Sequence, residues 1–276
     1  MSALEAILRR DRYAVLGALL LLTALAWAYL FWLAQHMAMP TAAPPMPGMD
    51  MSMDMGPQMG IAMTPAFHPW SSTELFFSFV MWWVMMTAMM LPTAAPMVLL
   101  YARVGRQAEH QPFAASAWFA GGYLLAWMIF SLLAALLQAG LIRAALLTPM
   151  LASTSHVMGG AVLIAAGAYQ WSSWKYRCLA GCRAPLAFIQ QHGGFKWRPL
   201  PALGLGLRHG LYCIGCCWAL MLLLFVGGVM NIAWIAGLAV LVLLEKVFTD
   251  GRHVSRLIGL MLIAGGLVLA GDAAMV

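Results

Sequence analysis

The chain has 276 residues, of which 63% are hydrophobic and 9% are charged, and its formal net charge is +6. Soluble domains are about half apolar and about a quarter charged, so this composition excludes an ordinary soluble protein and indicates a membrane protein. The basic residues stand between apolar segments rather than in a patch interleaved with aromatic residues, which excludes nucleic-acid binding.

Seven apolar segments are long enough for a helix to cross a membrane, which takes about 20 residues. They predict an all-α, polytopic membrane bundle with spans at 13–34, 74–101, 113–139, 156–174, 203–227, 230–248 and 255–273. The chain then has three parts: an N-terminal transmembrane helix (1–34), a loop rich in Met and Pro (35–70), and a six-helix membrane domain (71–276). The length of the first segment favours a retained helix over a cleaved signal peptide.

Basic residues fall almost entirely on one side of this predicted bundle, with Arg143 as the one exception among fifteen. Loops rich in Lys and Arg stay in the cytoplasm, so the N-terminus is predicted to be cytoplasmic and the C-terminus extracytoplasmic. The same rule places the 35–70 loop outside and a basic loop at about 175–202 inside. The predicted location is the inner (cytoplasmic) membrane of a bacterium.

Methionines dominate the 35–70 loop, where prolines interrupt any packing period. Thioethers bind Cu(I) without losing a proton, and they serve in oxidising compartments where thiols are lost. The stretch GMDMSMDMG therefore predicts copper capture by Met49, Met51, Met53 and Met55, and the alternative is a low-complexity linker.

The second span carries a further set of methionines, in the stretch MWWVMMTAMMLPTAAP. Met86 and Met90 are four residues apart and share a helix face, and Met89 lies on the neighbouring row. Methionine is also a common filler of apolar cores, so packing and soft-metal binding both explain this set.

Three cysteines interrupt the fifth span, at Cys213, Cys216 and Cys217 in GLYCIGCCWALM. At about 100° per residue they share one helix face, and steps of four residues add His209 and Met221 to it. Thiolate, imidazole and thioether are ligands for soft Cu(I), with zinc as the alternative metal. The alternative for each single cysteine is packing, and the small residues of the same helix are typical of a helix contact.

A second pair of cysteines, Cys178 and Cys182, lies in the basic loop near the same side of the membrane. Neighbouring Lys and Arg residues are expected to lower the pKa of these thiols and favour thiolates. Glu245 and Lys246 end the sixth span, where snorkelling or a surface ion pair explains them.

The chain resembles a bacterial family of predicted metal-binding integral membrane proteins, a domain of unknown function. The resemblance lies in three blocks, which read WWVMMTAMMLPTAAP, QWSSWKYRCLAGCRAP, and GLYCIGCCWALMLL with the later doublet Glu245–Lys246. It covers about residues 75–270 and implies a helical membrane protein with a bound metal, for which copper has been proposed. Position by position it points to Met86, Met89, Met90, Cys178, Cys182, Cys213, Cys216 and Cys217.

These patterns predict a metal-binding membrane protein that handles Cu(I) by acquisition, transfer or delivery. The predicted partners are the lipid bilayer and either a soluble metallochaperone or a membrane cuproenzyme, with no nucleic acid. Nucleotide is not expected, because the chain has no phosphate-binding GxxxxGK motif. Two alternatives stay open: a membrane thiol–disulfide oxidoreductase that uses the cysteine pairs, and a non-catalytic assembly subunit in which Met and Cys only pack.

Overall fold

A computed structural model describes residues 3–38, 71–107, 112–147, 155–248 and 251–272. The Met-rich loop, including Met49, Met51, Met53 and Met55, lies outside these ranges. Within them the protein is helical and contains no strand, which confirms the predicted all-α class.

The described ranges form a succession of helices, α1 to α10. They are α1 (Ala3–Ala38), α2 (Ser72–Gln107), α3 (Pro112–Arg143), α4 (His156–Tyr169), α5 (Ser173–Arg183), α6 (Pro185–Gln191), α7 (Pro199–Leu222), α8 (Leu224–Gly227), α9 (Ile232–Val247) and α10 (Gly251–Asp272). By length and composition, five segments of the described ranges can cross a membrane: Tyr13–His36, Ser72–Val104, Ala114–Arg143, Pro199–Gly227 and Arg252–Gly271.

Two of the seven predicted spans are shorter than expected. Helix α4 has 14 residues and α9 has 16, against the roughly 20 that a spanning helix needs. In the predicted fourth span the helix ends at Tyr169, and a new helix, α5, starts after Ser172, whose side chain accepts a hydrogen bond from Trp174 N. The count of seven spans and the orientation of the termini therefore stay predictions.

The segment expected to be a basic loop, at about 175–202, is instead mostly helical. It contains α5, α6 and the beginning of α7. Pro185 and Pro199 each stand in the first turn of a helix, where proline is well tolerated because the first amide groups have no partner within the helix. Composition alone predicts a loop here because the charged residues reduce the mean hydropathy, although Pro185 and Pro199 favour helix starts.

Helix α7 packs closely against α3, because small residues line the contact. A Cβ added to Gly210 would lie 2.5 Å from Ala126 Cβ, and one added to Gly206 would overlap the carbonyl of Phe119. Small residues let membrane helices approach backbone to backbone. The contact thus fixes α7 against α3, and α5 also packs against α7. Side chains of α2 belong to the same buried core as the α7 cysteines.

Gly206→Ala should lower the free energy of unfolding by about 1–3 kcal/mol, because the added methyl group overlaps the α3 backbone. Gly204→Ala, two residues away on α7, is the matched control, because a Cβ there meets nothing within 4 Å. It should leave stability unchanged or raise it by up to about 1 kcal/mol through better helix propensity. Denaturant titration in detergent measures both, and equal effects would contradict the close contact.

Candidate functional site

The buried face of α7 carries all five side chains predicted as ligands in the fifth span. Cys213, Cys216 and Cys217 are each no more than 1% exposed, and His209 and Met221 are buried with them. The shared face that helical spacing predicted is therefore the face that α7 turns into the protein. Neighbouring helices cover this face of α7 and separate its side chains from lipid and solvent.

Helix α5 brings the second pair of cysteines to this face. Two glycines allow the approach: a Cβ on Gly215 would lie 2.7 Å from Cys178 Sγ, and a Cβ on Gly181 would lie 2.7 Å from the Tyr212 ring. Near the C-terminal end of α5, Cys182 is half-buried and lies close to Cys213 and Cys216. The two groups of cysteines, separate in the sequence, thus meet at one place.

Cys213 is at the centre of this thiol group. The thiols of Cys216 and Cys217 both donate to its carbonyl oxygen, at 3.0 Å each. Its own Sγ lies 3.1 Å from the Tyr123 hydroxyl and 3.0 Å from Lys246 Nζ. We call Cys182, Cys213, Cys216 and Cys217 the thiol centre.

A closed ring of hydrogen bonds holds Cys213 among four helices. Lys246 Nζ donates to Thr93 Oγ1 at 2.9 Å as well as to Cys213 Sγ. The hydroxyls of Thr93 and Tyr123 both donate to the carbonyl of Met90, at 2.8 and 3.0 Å. Because the ring joins α2, α3, α7 and α9, it fixes an ammonium group directly against a cysteine sulfur.

Sequence reasoning missed Lys246 and Tyr123 as site residues. The sequence predicts snorkelling or a surface ion pair for Lys246, but Lys246 reaches inward to Cys213, and the partner of Glu245 is Lys175. Adjacent residues point about 100° apart on a helix, so two neighbouring charges face different partners. The Glu245–Lys246 doublet was the sequence feature that pointed to Lys246 as a site residue. No feature of the sequence pointed to Tyr123.

Glu245 pairs instead with Lys175, and both side chains are almost completely buried. Lys175 Nζ lies 2.7 and 2.8 Å from the two carboxylate oxygens, and it also donates to the side-chain oxygen of Gln170. Within the described residues, this pair forms the one salt bridge. It joins α5 to α9, and thereby sets the position of Cys182 relative to Lys246.

The thiols of α5 are not activated as expected from the basic residues around them. Burial and the nearby Cys216 raise the pKa of Cys178 above its ordinary value. Hydrogen bonds with Cys213 and Cys216, followed by burial, raise the pKa of Cys182, although Lys246 opposes the shift. The expectation of lowered pKa values was wrong, since the charge of Lys175 is taken up by Glu245.

The methionines singled out from the sequence are buried in the same core as the thiols. They are Met86, Met89, Met90 and Met221, each no more than 2% exposed. Met90 touches the hydrogen-bonded ring through its carbonyl oxygen. Met221 lines an apolar cavity of about 110 Å³ with Trp82 and Phe225, further along α7. Packing in the hydrophobic core therefore explains why these methionines are buried. Their use as metal ligands stays a prediction.

His209 stands in an aromatic environment one turn before Cys213. The ring centroids of Phe119, Tyr123 and Phe188 lie 5.8, 5.8 and 5.2 Å from that of His209. Its Nδ1 is buried and has no hydrogen-bond partner among the described residues. A buried nitrogen without a partner is costly, and it keeps an imidazole available as a ligand.

The thiol centre is a group of neighbours rather than a finished coordination shell. Across the described residues, no set of three or more His, Cys, Asp or Glu side chains is arranged to hold a metal ion. Cys216 and Cys217 are turned toward the backbone of their own helix, and Cys213 is turned toward Lys246. Their chemistry still fits a soft cation, because rotation about Cα–Cβ bonds redirects sulfurs that are already adjacent.

The helices and the thiol centre define a helical protein with five candidate membrane spans and a buried, sulfur-rich core. The chain belongs to the copper chaperone family PpoB2, whose model matches residues 79–269, more than half of the chain. This supports the copper association that the resemblance implied, whereas naming the family a domain of unknown function is not confirmed. No curated protein and no solved structure matches the chain.

Lys175→Met should lower the free energy of unfolding by about 3–5 kcal/mol, because it leaves Glu245 buried without a partner. The double variant Lys175→Met with Glu245→Leu should recover most of that loss, since it removes both charges. Lys196→Met serves as the control, because the Lys196 ammonium donates to an exposed carbonyl, that of Gly193. Denaturant titration in detergent measures the series, and a double variant no more stable than the single one would contradict the ion-pair explanation.

Proposed function

We propose that the protein binds Cu(I) as cargo at the thiol centre and hands it to a partner. The observation that carries the proposal is the approach of Cys182, a half-buried thiol of α5, to the buried Cys213 and Cys216 of α7. A packing role explains single buried cysteines, but it gives no reason for thiols from separate segments to gather around a lysine. Membership of a copper chaperone family supports copper over zinc.

The chemistry of the centre suits a small number of soft ligands. Thiolates select Cu(I), and a cargo site must release its metal as well as bind it. Cys213 supplies the sulfur that lies against Lys246, and Cys182, Cys216 and Cys217 supply the sulfurs that turn to share the metal. Binding displaces thiol protons, since the thiolate is the ligand.

Lys246 supplies the charge that such a complex needs in a core of low dielectric. Cu(I) held by two thiolates carries one negative charge, and one ammonium group beside it makes the assembly neutral. An uncompensated charge in the interior is costly, so a fixed cation 3.0 Å from Cys213 Sγ stabilises the metal-bound form. Thr93 and Tyr123 hold this geometry through the hydrogen-bonded ring.

The proposal also includes methionines outside the thiol centre as Cu(I) ligands. Met86, Met89 and Met90 of α2 lie in the same buried core as the thiol centre and provide weaker sulfur ligands for a transferred ion. In the proposal, Met49, Met51, Met53 and Met55 capture copper outside a bacterial inner membrane, in a loop at 35–70. The partner is a soluble metallochaperone or a membrane cuproenzyme, and the direction of transfer is open.

Replacing Cys213, Cys216 and Cys217 together by serine should reduce copper from stoichiometric to background, because it removes the sulfurs around Lys246. Elemental analysis of anaerobically purified, Cu(I)-loaded protein measures the result, with zinc measured in the same samples. Cys178→Ser is the comparison variant, since this thiol packs against Gly215 at the edge of the centre, and it should lose less copper. Unchanged copper in the triple variant refutes the site. A loss of copper supports the site when the variant unfolds at the wild-type temperature.

The same preparation separates copper handling from thiol–disulfide exchange. All five cysteines are free in the structure. A copper carrier keeps them reduced through loading and release, whereas an oxidoreductase cycles a disulfide between the pairs. Thiol trapping followed by mass spectrometry of each cysteine peptide distinguishes the two.

Lys246→Met should weaken Cu(I) binding by about tenfold to a hundredfold, the usual cost of losing a group that supports metal ligands. Lys246→Arg should retain most of the affinity, because it keeps the charge. Competition with a Cu(I)-specific chelator gives the affinity, and Lys196→Met controls for the loss of one positive charge elsewhere. Equal affinities for the methionine and arginine variants would show that the charge of Lys246 is not used.

A further inference from the structure

A polar cavity lies away from the thiol centre, where the turn between α4 and α5 meets the start of α10. Its volume is about 200 Å³. The residues that give it its chemistry are Gln170, Ser172, Ser173, Arg252, Ser255 and Arg256. We call it the α10 cavity.

Two buried donors in the α10 cavity have unused hydrogen-bonding capacity. Gln170 and Ser255 are each 4% exposed, and both line the cavity. Neither the Gln170 Nε2 group nor the Ser255 hydroxyl has a hydrogen-bond partner among the described residues. Buried polar groups are normally paired, so two unpaired donors in one cavity point to a ligand that accepts hydrogen bonds.

The charge of the α10 cavity favours an anion. Arg252 and Arg256 line it, and none of its lining residues is Asp or Glu. The Arg252 guanidinium is held 3.9 Å above the ring centroid of Tyr176, which keeps it at the cavity. Helix α5 begins at Ser173 on the same wall, and the N-terminal end of a helix adds a partial positive charge.

The position of the α10 cavity indicates where the anion comes from. It opens at the start of the candidate span Arg252–Gly271. Beyond it α10 exposes large apolar side chains along its length, among them Leu257, Leu260, Met261, Leu267 and Val268. Trp171 and Trp174, both more than half exposed, stand at the same end. Exposed tryptophans mark the boundary between headgroups and acyl chains in a membrane.

We propose that the α10 cavity binds the phosphate of an anionic phospholipid headgroup, with the acyl chains lying along the exposed face of α10. The two arginines neutralise the phosphate, and Ser255 and Gln170 donate to its oxygens. The Trp171 indole donates to the carbonyl of Arg256 at 3.1 Å, so the first turn of α10 is fixed where the headgroup binds. The lysine of this wall, Lys175, takes no part, because Glu245 holds it.

Native mass spectrometry of the full chain, released from nanodiscs that contain phosphatidylglycerol and phosphatidylcholine, tests the proposal. Wild-type protein should retain phosphatidylglycerol selectively. The double variant Arg252→Gln with Arg256→Gln should retain at least about tenfold less, since each basic residue near a membrane surface contributes substantially to anionic-lipid binding. Arg103→Gln with Arg198→Gln, an equal loss of charge at two exposed positions, should leave retention unchanged. Equal losses in the two double variants overturn the site.

Ser255→Ala provides a second variant that keeps all charges and removes one unpaired hydroxyl. It should lower the retention of phosphatidylglycerol severalfold while the thermal unfolding midpoint stays at the wild-type value. Wild-type retention in this variant would contradict a headgroup that accepts a hydrogen bond from Ser255.

Inorganic phosphate distinguishes the two sources of the same chemistry. If the ligand is a lipid, excess phosphate in the buffer leaves the retained phosphatidylglycerol in place. If phosphate displaces the lipid, or if phosphatidylcholine is retained equally well, the α10 cavity is a site for free anions and the lipid assignment is wrong. None of these measurements involves copper, so they stand apart from the test of the thiol centre.

Discussion

The contact between Lys246 Nζ and Cys213 Sγ, at 3.0 Å, is the constraint on which the buried core depends. An ammonium group inside a helical bundle must have partners, and here it has a sulfur and the hydroxyl of Thr93. Those partners sit on different helices, so satisfying one charge fixes the relative positions of α2, α7 and α9. The same contact makes Cys213 unlike an ordinary packed cysteine, because its sulfur faces a cation.

Close helix packing makes that contact possible. Gly206 and Gly210 let α7 approach α3, and Gly181 and Gly215 let α5 approach α7 from another side. Bulkier residues would separate these helices, and Cys182 would no longer reach the sulfurs of α7. The Lys175–Glu245 pair adds a polar link between α5 and α9, so Glu245 and Lys246, adjacent in sequence, hold two different neighbours of α9 in place.

The sequence predicted the helical class and the shared helix face of Cys213, Cys216 and Cys217, because helical spacing is a local pattern. The approach of Cys178 and Cys182 to that face was an expectation from ligand chemistry alone. It did not predict the helical character of 175–202, because charge lowers mean hydropathy without preventing a capped helix. Nor did it predict the partners of Lys246 and Lys175, which lie 33 and 70 residues away along the chain. Such pairings are set by how helices pack, and a single sequence carries little record of that.

Helix α5 connects the two sites inferred from the structure. Its 11 residues span only about 16 Å, so the α10 cavity at Ser173 and the thiol centre at Cys182 share one rigid element. Lys175, between them, anchors the helix to α9 through Glu245. Under the lipid proposal, a phosphate at the beginning of α5 would therefore restrain the helix whose last turn carries Cys182 close to Cys213. Under the two proposals taken together, the bilayer would help to position a copper ligand.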